Sequence, residues 1–449
     1  MSSSAPLAFK RPVGMTAFLL VWVGQVISVL ASSMSHFGLT IWMFQQTGSA
    51  TALGLLQVAF IVPFLILSPV AGVLVDRHNR KLMMMVSDLA AAVATGGILL
   101  LLALDRLAFW HLYVAAALNG LGNTFQWPAY SAAISTMVPK EQYSRANGLM
   151  SLLEAGPGVL APLMAGALLP IIGLVGILSL DMVTFFVAIA ALAIVVVPRP
   201  KASAAGAEAR GSVWQEAVYG FRYIFRRPGL LGLQLVFFFG NLFGGMAYTL
   251  LAPMVLARTG NNSVALGVVQ SAGAVGAVVG GVVMSVWSGF RRRVHGVLLG
   301  WALSAVGVAL LGVARTVGQW IPAAFFAAVV SPLVNTSNQA LWQAKVPPDV
   351  QGRVFSARRL IAWFTTPISP VIAGTLADFV FEPAMQGDTA LAAAFGGLVG
   401  TGPGAGMGLL VVLCGLLGLA VPLVGYLTPA VRCVETDLPD HDQPAPSTG

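Results

Sequence analysis

Thr47-Gly48, then three residues, then Ala52-Leu53-Gly54-Leu55-Leu56-Gln57 returns later in the chain as Thr259-Gly260, four residues, and Ala265-Leu266-Gly267-Val268-Val269-Gln270. Val138-Pro139, Arg145, Pro162 and Ala165-Gly166 likewise return as Val346-Pro347, Arg353, Pro370 and Ala373-Gly374, each 208 residues on. The chain is therefore two copies of one unit, and almost everything between the matches is apolar. A duplicated hydrophobic unit implies a membrane protein whose pseudo-symmetry axis, and usually whose binding site, runs between the copies. That is the architecture expected of a transporter.

Composition agrees. Hydrophobic residues make up 57% and charged residues 9% of the 449, whereas a soluble domain carries about a quarter charged. Twelve apolar stretches, each about long enough to cross a bilayer as a helix, run from Thr16–Phe44 to Leu409–Leu427. The expected fold is all-α and integral to the membrane, with twelve transmembrane helices in two six-helix halves. Residues 1–14 form a cytoplasmic N-terminus, 15–197 the first half, 198–228 a linker, 229–430 the second half and 431–449 a disordered acidic tail. In the linker, Trp214, Val218, Phe221 and Phe225 share one helical face, with Arg222, Arg226 and Arg227 beside them, a pattern suited to the inner leaflet. A short helix is expected around Thr389–Leu398.

The net charge of +8 needs no nucleic acid to explain it. If both termini are cytoplasmic, 21 of the 24 Lys and Arg fall on that side, and only Arg106, Arg258 and Arg315 on the other. That asymmetry orients a membrane protein. The chain is expected to be a monomer in a plasma membrane, such as a bacterial inner membrane, with membrane lipids as its surroundings. Lys10 and Arg11 precede a first segment too long for a signal-peptide core. With Cys414 in the last helix and Cys433 in the tail, no disulfide framework is expected.

Polar side chains inside apolar helices cost free energy, so their placement points to function. Gln25, Ser28, Ser32, His36 and Thr40 recur every three or four residues, as do Asn119, Asn123, Gln126 and Tyr130. The second copy offers Asn241, Gly244 and Tyr248, then Asn335, Asn338 and Trp342. Rows at matched positions of both copies favour a shared wet cavity over simple interhelical glue. Four acids lie in or near the apolar stretches, Asp88, Glu154, Asp181 and Asp378. Counting about ten residues of 1.5 Å from the turn at Ser144 puts Glu154 near the bilayer midplane. There an unpaired charge costs on the order of 2.5–3.5 kcal/mol. Glu154 is thus the leading proton carrier, with Asp88 and Asp181 behind it. A cavity lined by amides and aromatics, without a buried Lys or Arg, suits neutral or cationic amphiphiles better than anions. Five scattered histidines with no metal-ligand spacing and no Ser-His-Asp grouping argue against an enzyme.

The turn Gly72-Val73-Leu74-Val75-Asp76-Arg77-His78-Asn79-Arg80-Lys81 resembles the signature between helices 2 and 3 of the major facilitator superfamily. The resemblance implies that Asp76, with Arg77, Arg80 and Lys81, forms a cytoplasmic latch, Gly72 allowing close helix approach. The second copy keeps Gly281 and the basic Arg291–Arg293 but has Ser285 in place of the acid. Asn119-Gly120, Asn123-Thr124, Pro128-Ala129 and Arg145-Ala146-Asn147-Gly148 are similar to the drug:proton antiporter branch containing macrolide-efflux proteins and the enterobactin exporter. Two departures stand out: helix 4 lacks the buried arginine of many proton-coupled relatives, and Gly156-Pro157-Gly158 is only a loose antiporter signature. The likeness covers about residues 15–430. It implies alternating-access export of a drug, macrolide-like compound or secondary metabolite, driven by the proton gradient without a cofactor or metal. A lipid, lysolipid or siderophore transporter shares the fold, and a transport-inactive membrane sensor is the alternative from another class.

Overall fold

The computed structural model describes residues 12, 14–77, 79–139, 142–195, 213–287, 289–347, 350–387 and 389–440. Among the described residues there is no strand. Hydrocarbon offers no partner for a free N–H or C=O, so each apolar stretch closes its backbone bonds within a helix. The first copy contains α1 (Gly14–Thr47), α2 (Ala50–Arg77), α3 (Arg80–Ala103), α4 (Phe109–Met137) and α5 (Tyr143–Ile194). After α6 (Val213–Phe225) come α7 (Pro228–Thr259), α8 (Ser263–Val286), α9 (Arg293–Val313), α10 (Val317–Val329), α11 (Ser331–Lys345), α12 (Gln351–Trp363), α13 (Thr365–Leu376), α14 (Ala390–Val399) and α15 (Ala405–Leu427).

Among the described residues, ten helical stretches are long and apolar enough to span a membrane, one of them Gly148–Ile194. The 52 residues of α5 would run about 78 Å if straight, more than twice a ~30 Å hydrocarbon core. The chain breaks instead at Gly173, where φ is 66° and ψ −179°, a conformation glycine adopts without a Cβ penalty, so α5 supplies two spans. The 29 residues of α4 supply another. The pairs α10–α11 and α12–α13 each cross as one interrupted span, Val317–Lys345 and Arg353–Ala384. Among the described residues the count is then twelve.

The helices sort into two compact units. The first is Met1–Leu39, Ala59–Ala161 and Leu168–Ser203; the second is Thr40–Val58, Pro162–Ala167 and Ala204–Gly449. In the first unit, Phe18, Met84, Tyr130, Met150 and Leu192 form a core. A Cβ on Gly120 of α4 would stand 2.1 Å from the Phe60 carbonyl of α2, so glycine is what lets these helices touch. Lys81 donates to the Ala193 and Val195 carbonyls, both at 2.8 Å, closing the C-terminus of α5. In the second unit, Leu230, Val297, Leu341 and Trp342 form the core.

The second unit also holds a crossed pair built from the repeated sequence. A Cβ on Gly54 would lie 2.5 Å from the Pro370 carbonyl, and one on Gly374 would lie 2.5 Å from Thr51 Cα. The other copy does the same in exchange: a Cβ on Gly267 would lie 2.2 Å from the Pro162 carbonyl, and one on Gly166 would lie 2.8 Å from the Ser263 carbonyl. Each copy's Ala-Leu-Gly stretch thus packs on the other copy's Pro and Gly. The Ser263 hydroxyl adds a bond to the Gly166 carbonyl at 3.0 Å.

Carboxylates from distant segments cap three helix N-termini, where unpaired N–H groups and the helix dipole attract negative charge. Asp378 accepts from Ser49 Oγ (2.5 Å), Ala50 N (3.0 Å) and Thr51 N (2.8 Å) at the start of α2. Glu382 accepts from Gly404 N and Met407 N at the start of α15. Glu435 accepts from Val294 N at 2.9 Å in the first turn of α9.

The last of these corrects the expected disordered tail as far as residue 440. Lys345, side chain 4% exposed, pairs with Asp440 at 2.8 Å, and donates to the carbonyls of Glu435, at 2.8 Å, and Leu438. A buried ammonium has to find acceptors, and the acidic tail supplies them; Asp442 lies outside the described residues. At the matched position, 208 residues earlier, the first copy carries buried Met137. Truncation after Cys433 is therefore expected to destabilise the protein by about 3 kcal/mol, because it strands that charge. Adding Lys345→Met should recover most of the loss. Unfolding midpoints of the three proteins in detergent check this.

The short helix after Asp378 forms as Ala390–Val399, with Thr389 capping Ala392 N at 3.1 Å. The amphipathic linker forms α6, and Gly220 on it packs against the Arg353 carbonyl. The side chains of Trp214 and Val218 lie outside the described residues.

Candidate functional site

Two helix rows expected from spacing converge on one acid. Gln25 of α1 donates from Nε2 to Asp88 Oδ2 at 3.0 Å, and Gln126 of α4 donates to Asp88 Oδ1 at 3.0 Å. Gln126 Nε2 also reaches Gln25 Oε1 at 2.9 Å, so three helices share one network. Asp88 and Gln25 are 6% and 2% exposed. Gln126 Oε1 is left buried with no hydrogen-bond partner.

Further along α1 a second acid is held differently. Ser32 Oγ donates to Asp181 Oδ1 at 2.9 Å, and Thr95 Oγ1 of α3 donates to Oδ2 at 3.4 Å. Asp181 is 1% exposed. Buried Ser35 also lies beside this carboxyl, and neither it nor Thr95 stands among the residues singled out by spacing. Ser35 lies one helical step from Ser32, and Thr95 lies two turns beyond Asp88 on the same face of α3, which is the signal that could have found them.

Glu154, the leading acid by depth, is exposed on its helix, outside both networks. Depth counted along one helix says nothing of which way the residue turns, and Asp88 and Asp181 turn inward. Of the first-copy row, Tyr130 is buried and stacked with Phe18 at 6.2 Å. Asn119 is half-buried, while Asn123 and His36 are exposed.

In the second unit, Asn338 is 3% exposed and its Oδ1 has no partner. Asn241 is half-buried, Tyr248 is 70% exposed, and exposed Asn335 bonds back to Ser331 on its own helix. Trp342, expected at the cavity wall, is fully buried in the packed core, with the Arg358 guanidinium 5.4 Å from its ring. Of the expected latch, the side chains of Gly72, Asp76 and Arg77 lie outside the described residues; Arg80 opens α3, and Lys81 serves the α5 terminus as above. Among the described residues no group of three His, Cys, Asp or Glu could hold a metal ion.

Helices long and apolar enough to span a bilayer, with interior acids held by amides and hydroxyls, define an integral membrane protein. The chain belongs to the major facilitator superfamily, whose sequence profile, Major Facilitator Superfamily, matches residues 21–370. It is therefore a multi-pass membrane transporter, not an enzyme, with the superfamily's twelve helices in two six-helix halves. Macrolide efflux protein A of Streptococcus pyogenes is 26% identical over 374 residues, covering 80% of this chain and 89% of that one. Multidrug efflux pump Tap of Mycolicibacterium fortuitum is 28% identical over 372 residues, covering 76% and 85%. A bacterial homologue of the human lysosomal transporter Spinster, solved inward-facing and unoccupied, superposes with a TM-score of 0.71 at 16% identity, over 97% of this chain and all of that one.

Proposed function

We propose that the protein exports an amphiphilic neutral or cationic organic compound, such as a macrolide-like drug or a secondary metabolite, by proton antiport and alternating access. The observation that carries this reading is Asp88 in its amide cradle. A carboxylate buried among apolar helices, with no cation beside it among the described residues, is costly to leave charged, and a proton relieves that cost. Two amides from two other helices sense whether the proton is present, because an ionised carboxylate accepts both N–H groups and a protonated one cannot accept them equally. Proton binding at Asp88 thereby changes how α1, α3 and α4 hold together. Gln126 Oε1, unpartnered, remains free to accept from a substrate hydroxyl or ammonium, so substrate and proton act on one network. Efflux in the relatives' names supports the outward direction.

The direction test uses inside-out vesicles with an imposed pH gradient and a panel of macrolides and lipophilic cations. Accumulation inside the vesicles, collapsed by a protonophore, is the expected result; gradient-driven loss from preloaded vesicles would mean uptake. Glu154, exposed on α5, is the second proton candidate. Glu154→Gln is expected to lower gradient-driven transport severalfold at most. Complete loss of gradient dependence in that variant, with Asp88→Asn unaffected, would transfer the coupling role to Glu154.

A further inference from the structure

We propose that Asp181, Ser32, Ser35 and Thr95 form a binding site for a small alkali cation, sodium or lithium. The proposal goes beyond proton-driven export and stands on a different acid. Three observations lead to it.

First, the donor chemistry differs between the two buried acids. Asp88 is met by amide N–H groups, whose hydrogens repel a cation. Asp181 is met by hydroxyls from two other helices, Ser32 Oγ at 2.9 Å and Thr95 Oγ1 at 3.4 Å. A hydroxyl can turn its hydrogen aside and offer a lone pair, so this acid can trade hydrogen bonds for metal–oxygen contacts. Hard cations take oxygen ligands of this kind.

Second, the cluster is incomplete as it stands. Ser35 is 3% exposed, its hydroxyl lies beside the same carboxyl, and no atom stands in good hydrogen-bond geometry to its Oγ. Leaving a buried polar atom short of a partner is unfavourable. A cation held between the carboxylate and the Ser32, Ser35 and Thr95 oxygens would give Ser35 its missing contact.

Third, the charge is right for a monovalent ion. The cluster carries one carboxylate, and among the described residues no basic side chain interacts with it. On the elements around it, Asp88 is engaged by Gln25 and Gln126, and His36 is exposed on α1. One positive charge neutralises the cluster, whereas a divalent ion would leave a net charge in an apolar interior. The short reach to the hydroxyls favours an ion smaller than potassium.

The test uses the purified full-length protein in liposomes of defined lipid, titrated with NaCl, LiCl, KCl and choline chloride at constant ionic strength. Tryptophan fluorescence and scintillation-detected binding of radioactive sodium are the readouts. Saturable responses to sodium and lithium, absent with potassium and choline, are expected. Ser35→Ala should raise the half-saturating sodium concentration at least fivefold, and Asp181→Asn should abolish binding. Should Asp181→Asn fail to fold, Thr95→Val with Ser32→Ala serves, again with at least a tenfold weaker response expected. Equal responses to all four salts, or sodium binding that survives loss of Asp181 or of both hydroxyls, overturns the site. Substrate export measured in sodium-free buffer separates the two readings. Full proton-driven export together with no sodium binding removes this site and leaves the export reading intact.

Discussion

Asp88→Asn is expected to abolish export driven by a pH gradient, by a factor of at least 100, while purified protein still binds substrate and still exchanges it across a liposome membrane without a gradient. Asparagine keeps the shape, one acceptor and the company of Gln25 and Gln126, so the helices around the site remain packed. What it removes is the ability to alternate between charged and neutral forms, and with it the coupling. Asp88→Leu should do more damage, because it leaves two buried amides short of an acceptor at about 1–3 kcal/mol each. Substrate counterflow and gradient-driven uptake into inside-out vesicles, run side by side on Asp88→Asn, separate lost coupling from lost folding. Gradient-driven export at the parental rate would remove Asp88 from the mechanism.

Gly267→Val and Gly54→Val are expected to have comparably large effects for a steric reason. At Gly267 a Cβ would sit 2.2 Å from the Pro162 carbonyl, and at Gly54 2.5 Å from the Pro370 carbonyl. Both neighbours are backbone and cannot turn away, so the crossings must open by about an ångström or fail to form. Overpacking of this kind costs about 1–3 kcal/mol or more, and here it falls on contacts that repeat across the two copies. Each variant should express and reach the membrane but lose at least nine-tenths of transport, because the crossings can no longer close. Gly280→Val, whose Cβ would stand 1.9 Å from the Val329 carbonyl within one helix pair, should instead reduce the amount of folded protein. Quantified membrane expression alongside transport tests this split. Normal transport by Gly267→Val would show that the close crossing is not needed during the cycle.

The repeated stretches have the same explanation. Proline returns 208 residues on, as Pro162 and Pro370, and glycine 213 on, as Gly54 and Gly267, because the same close helix approach is needed twice, once at Gly54–Pro370 and once at Gly267–Pro162. Reading along the chain recognises the repeat but not the exchange, since each glycine's partner lies in the other copy. The acids divide similarly. Helical spacing places Gln25 and Gln126 on rows, and those rows do meet at Asp88. Spacing could not rank Glu154 against Asp88, because depth is a property of position along one helix, whereas burial depends on which neighbours a residue turns toward. The tail is a third case. Its proline and acid content reads as disorder, yet Lys345, buried at the end of α11, requires acceptors, and Glu435, Leu438 and Asp440 provide them.

Sequence alone determined that this chain is twelve membrane-spanning helices in two related copies, because apolar length, charge asymmetry and internal repeats are written residue by residue. Tertiary structure alone decided which acids are enclosed, what encloses them, and that amides hold Asp88 while hydroxyls hold Asp181. Those facts follow from helices distant in sequence facing one another, and in a medium without water every buried polar group must find its partner there.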